Sequence, residues 1–209
     1  MKKLYYYWQR HPLLSFVLML GLTVALTSFG PAEKTLGTSV RVVYLHGAWV
    51  WVALVTFTAA GVTGLAGLLT RRLQLQNWSR ALGRTGLFFW ITYLPISLWA
   101  MQTNWNGLFL AEPRWRLAVI FALGGLVLQL GLTLMDHPAW ASVANLSYVV
   151  VLFFALRSTQ DVMHPSSPIL NSDAWGIQVF FTGLLLLTFV AAWQITRWWH
   201  QVESVSAEK

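Results

Sequence analysis

The 209-residue chain is 56% hydrophobic, 15% aromatic and only 10% charged, against about a quarter charged for an ordinary soluble domain, and its mean hydropathy is +0.57. A water-soluble globular fold is therefore excluded and an integral membrane protein is expected. The net charge of +7 comes from residues at the ends of apolar runs rather than on one polar face, which points to membrane topology and away from nucleic acid.

A hydrocarbon core about 30 Å thick takes roughly 20 apolar residues per helix. The few charges mark off six runs, at about 13–30, 42–69, 84–102, 115–135, 139–156 and 174–199. The first follows Lys2, Lys3 and Arg10, which looks like the head of a signal peptide. No small-residue cleavage pattern follows it, and Phe29-Gly30-Pro31 reads as a helix end, so a retained span is expected. With the N-terminus inside, nine of the fourteen Lys and Arg residues fall on the cytoplasmic side, most of the difference coming from Arg71, Arg72, Arg80 and Arg84 between the second and third runs. The positive-inside trend then puts both termini in the cytoplasm. The expected fold is all-α, a polytopic six-transmembrane-helix bundle forming one integral membrane domain over 1–209.

The spans hold almost no ionisable residues, so the charged path of a pump or secondary transporter is missing and transport is demoted. Gly61, Gly64, Gly67, Gly124 and Gly125 are read as points of close helix packing. Pro95 is expected to kink the third span toward its outer end.

Five histidines are present. His11, His137 and His200 lie at inner boundaries and read as interfacial or capping residues. His46 lies about one turn into the second span from the outer side, and His164 in the outer segment before the last span. Two histidines on one surface can fill the two axial positions of a haem iron, although two of five on one side also arises by chance. The thirteen tryptophans are mostly explained as aromatic belts at the two interfaces. The outer set gathers around Trp99 and Trp105, where a flat aromatic surface would suit a porphyrin. Arg114 and Arg116 run against the positive-inside trend. Paired guanidinium groups suit carboxylates, and snorkelling to lipid headgroups explains them equally well. There is no cysteine, which excludes thioether attachment of haem, an iron–sulfur cluster and a disulfide.

Arg41-Val42-Val43-Tyr44-Leu45-His46-Gly47-Ala48-Trp49 and Val162-Met163-His164-Pro165 together resemble the two histidine motifs of the haem-handling cytochrome c assembly proteins of the CcmC type. Six spans with both termini inside match that family's layout. Between the third and fourth spans the family carries a tryptophan-rich run ending in Asp, Ala or Pro, and Arg. Here Trp105 and Glu112-Pro113-Arg114 stand at corresponding places, and the remaining tryptophans are Leu, Phe or Ala.

The resemblance implies that His46 and His164 are axial ligands to a non-covalently and transiently held haem b. Trp49, Trp105, Phe109, Glu112, Arg114 and Arg116 are the candidates to contact it. It also implies a delivery role in cytochrome c biogenesis rather than enzymatic chemistry, a haem chaperone and ABC-type exporter subunits as partners, and a bacterial-type inner membrane with the site on the periplasmic side. The departed tryptophan run motivates the alternative, a non-haem accessory subunit of a larger membrane complex.

Overall fold

The computed structural model describes residues 10–160 and 169–206, with side chains described to Glu203. Among the described residues the chain forms six helices: α1 (Pro12–Thr27), α2 (Val40–Thr70), α3 (Leu73–Trp105), α4 (Pro113–Met135), α5 (Pro138–Ser158) and α6 (Trp175–Ser206). Four of them, α2, α4, α5 and α6, are long and apolar enough to cross a membrane, which points to an integral membrane protein. The all-α class is thus observed.

Local chemistry sets the helix ends. Pro12, Pro113 and Pro138 each sit in a first turn, where the missing N–H has no intrahelical partner to lose. Arg71, Asn106 and Asp136 end α2, α3 and α4 in the left-handed conformation, which lets the backbone close over the last carbonyls.

The largest departure from the expected spans is in α3. The third span was expected from residue 84, yet the helix starts at Leu73, after a two-residue link from α2. Arg80 is therefore helical rather than in a loop, and Arg84 lies well inside the helix rather than at its start. At 1.5 Å per residue this 33-residue helix is about 50 Å long, well beyond the thickness of a hydrocarbon core.

The α2–α3 hairpin is the heart of the bundle, and its core includes Tyr44, Ala48, Val52, Phe89 and Trp90. Close approach depends on missing side chains: a Cβ on Gly86 would lie 2.6 Å from the Phe57 ring, and one on Gly64 2.7 Å from Ser79 Oγ. Of the paired glycines in α4, Gly125 faces Leu87 and Tyr148, while Gly124 has nothing within 4 Å. α5 packs on both hairpin helices, α6 packs on α1, α3 and α2, and α4 is the least enclosed of the four long apolar helices.

One polar network crosses four helices. Asn145 Nδ2 donates to Ser79 O at 2.9 Å, Ser79 Oγ donates to Ala60 O at 2.7 Å, and Gln129 Nε2 donates to Asn145 Oδ1 at 3.2 Å. In an apolar surrounding such groups must find each other, so the network fixes the relative heights of α2, α3, α4 and α5.

Candidate functional site

His46 lies in the second turn of α2. Its ring meets Tyr93 of α3 edge-on, with centroids 5.6 Å apart, and the residue is half-buried. The following residue explains how α6 comes near: a Cβ on Gly47 would lie 3.3 Å from both Ile169 and Phe181. His164 lies outside the described residues. The described chain resumes at Ile169, whose side chain therefore packs beside His46's neighbour, five residues from His164.

Further contacts close this end of the bundle. Arg41 Nε donates to Gly30 O at 2.9 Å and Tyr44 Oη donates to Pro31 O at 3.0 Å, holding the α1–α2 loop over the start of α2. Within that loop Glu33 and Gly37 exchange backbone hydrogen bonds. The N–H groups of Leu36 and Thr35 hold the Glu33 carboxyl below the usual carboxylate range.

Of the expected contact residues, Trp105 and Phe109 stand together in the α3–α4 connection, with ring centroids 6.0 Å apart and planes at 79°. They are 38% and 39% exposed, so they present apolar surface. Glu112 closes the same connection as the N-cap of α4. Its Oε2 accepts from Trp115 N at 2.6 Å, and the residue is only 7% exposed. Arg114 and Arg116 follow in the first turn, Arg116 donating Nε to Leu110 O at 3.4 Å.

Trp49 is different. It is buried between α2 and α3, its Nε1 donates to Thr92 Oγ1 at 3.2 Å, and its ring packs edge-on against Phe89. The structure thus gathers Trp105, Phe109, Glu112, Arg114 and Arg116 on the α3–α4 connection, keeps His46 on the α2–α3 interface, and turns Trp49 into the core.

Two residues that the sequence did not single out tie these groups together. Tyr93 is the wall against which His46 rests. Asn104, in the last turn of α3, donates Nδ2 to Ala100 O at 3.0 Å and to Ser39 O at 3.4 Å, joining the α3–α4 connection to the start of α2. The signal for Tyr93 was its place three residues after Trp90, on the same helical face; it was hidden by the general abundance of aromatics.

The α3–α4 connection thus presents exposed aromatic rings and two arginines in one helical turn, and Asn104 ties it to the start of the helix that carries His46. No protein-family model, curated protein or solved structure matches the chain.

Proposed function

We propose that the chain is a haem-handling membrane protein with six membrane-spanning helices and both termini in the cytoplasm. Its haem would be held without a covalent bond at the outer face, between His46 and His164. The observation that carries this reading is the packing of Ile169 and Phe181 at Gly47, since it returns the chain to the side of His46 directly after the segment that contains His164. Five extended residues span up to about 18 Å, so the second histidine is within reach of the first.

Bound haem would supply an iron that takes imidazole ligands, and two negatively charged propionates. In this reading the imidazoles of His46 and His164 would hold the iron, Tyr93 would steady the His46 ring it meets edge-on, and Trp105 and Phe109 would offer an apolar surface. Arg114 and Arg116 would supply the positive charge for the propionates. Glu112 acts one step removed, by fixing the helical turn that carries both arginines. A site assembled at the ends of helices and in their connections suits release better than a deeply buried pocket does. The role is therefore delivery in cytochrome c biogenesis, as the resemblance to the CcmC type suggests, with a haem chaperone and exporter subunits as partners.

Protein purified from membranes supplied with haem is expected to show a Soret band that is lost in both His46→Ala and His164→Ala. A colourless preparation whose stability is indifferent to both changes would end the reading.

A second reading is favoured by Trp49, whose ring and Nε1 are engaged inside the bundle. With that aromatic unavailable to a ligand, the fold suits an accessory subunit of a larger membrane complex, and the same spectrum separates the two.

A further inference from the structure

At the opposite end of the bundle, four charged side chains meet. Arg80 and Arg84 are one turn apart on α3 and so share a face. Glu203 reaches them from α6, its Oε1 lying 2.7 Å from Arg84 Nη1 and 3.6 Å from Arg80 Nε. Asp136, the residue that ends α4, accepts from Arg80 Nη1 at 2.8 Å.

The two acids are not equivalent. The Asp136 side chain is 77% exposed, whereas those of Arg80 and Glu203 are each 9% exposed and that of Arg84 16%. Neither oxygen of Glu203 makes a hydrogen bond, so attraction between charges holds it. Arg84 also donates Nη2 to Thr133 at 3.3 Å and lies over the Trp199 ring, but Glu203 is its only ion-pair partner among the described residues.

We infer that Glu203 is a latch: one carboxylate, shared by Arg80 and Arg84, locks the register of α6 against α3 and so holds the helix up to its far end, which packs on Tyr44 and Gly47. Without it Arg84, a largely enclosed charge, keeps no ion-pair partner among the described residues and only the more distant attraction of Asp136, which is destabilising, while Arg80 keeps its direct contact with Asp136. Toward the middle of α6, Thr196 Oγ1 donates to Thr85 Oγ1 at 2.9 Å. Beyond that the buried face of α6 includes Ala192, Ala191, Thr188, Leu184, Phe181 and Ile177, and Thr188 bonds within its own helix, to Leu184 O. Such apolar packing is non-directional, so the register is set nearer the Glu203 end, where the ion bridge acts together with the Thr196–Thr85 bond and the stacking of Trp78 on Trp193 and His200. At the far end Phe180 lies against Tyr44, with ring centroids 5.5 Å apart, so a shift of α6 reaches the helix that carries His46. None of this depends on haem.

The absence of cysteine makes the test clean. In the full-length protein in membranes, a Thr85→Cys/Thr196→Cys pair reports docking of α6 by the rate of disulfide cross-linking, and hydrogen exchange over residues 175–184 reports its far end. Adding Glu203→Gln is expected to slow cross-linking by at least about tenfold, because a buried ion pair loses one partner, and to raise exchange over 175–184. The exchanged pair Arg84→Glu with Glu203→Arg is expected to restore both. Unchanged cross-linking in Glu203→Gln, or slowed cross-linking with unaltered exchange over 175–184, overturns the latch. If Glu203→Gln does not accumulate in the membrane, recovery by the exchanged pair supports the latch and failure to recover overturns it.

Discussion

Glu112 does two things with one carboxylate. Its Oε2 caps α4 through Trp115 N, and its negative charge stands at a helix start that also carries Arg114 and Arg116. Cations are unfavourable there, because the helix dipole is positive at that end. Glu112→Ala removes both contributions, and loss of a cap of this kind costs about 1 kcal/mol, at the outside about 2. Thermal unfolding in detergent should therefore occur at lower temperature in Glu112→Ala and stay near the parent value in Glu112→Asp, which keeps a capping carboxylate. If the arginines serve a ligand, the cap is also what aims them, so the alanine variant should lose pigment before it loses helicity.

Among the elements, the α2–α3 hairpin and the network around Asn145 do most to define the bundle. Gly64 and Gly86 allow the two long helices to approach, and Asn145 of α5 then bonds to Ser79 across the seam while accepting from Gln129 of α4. Polar contacts of this kind between membrane helices are worth about 0.6 to 2 kcal/mol. Asn145→Ala strands Gln129 Nε2 and loosens α4, already the least enclosed of the four long apolar helices. The expected result is a loss of about 1–2 kcal/mol in denaturant unfolding, with proteolysis in the α4–α5 turn rising first. Asn145→Gln keeps the chemistry but adds length where a Cβ on Gly83 would already meet Asn145 at 2.5 Å, so it should be no better tolerated.

For the whole molecule, the proposed orientation sets the His46 end outside and the Arg71-Arg72 link inside. Because the chain has no cysteine, a single Lys34→Cys or Arg72→Cys can be labelled without background. Lys34→Cys should react with a membrane-impermeant thiol reagent added to intact cells, and Arg72→Cys only after the membrane is opened. The reverse pattern would put the proposed site in the cytoplasm and remove the basis for an outer-face role.

Apolar run lengths determined a great deal by themselves. The all-α class and the apolar runs, six of which were expected and four of which form helices long and apolar enough to cross a membrane, follow from hydrocarbon thickness, which acts locally along the chain. His46 was legible as a candidate for the same reason, as a titratable side chain near the end of an apolar run. Only the tertiary structure decided the rest. Arg80 read as a loop charge and Arg84 as the edge of a span, because a guanidinium is costly inside a helical bundle, and the carboxylate that makes both tolerable there, Glu203, lies more than a hundred residues away, past the expected end of the last span. Trp49 read as an interfacial aromatic until its partners Thr92 and Phe89 came from another helix. In each case burial and pairing were set by residues distant in the chain, and a local pattern carries no record of which distant side chain will neutralise a charge or enclose a ring.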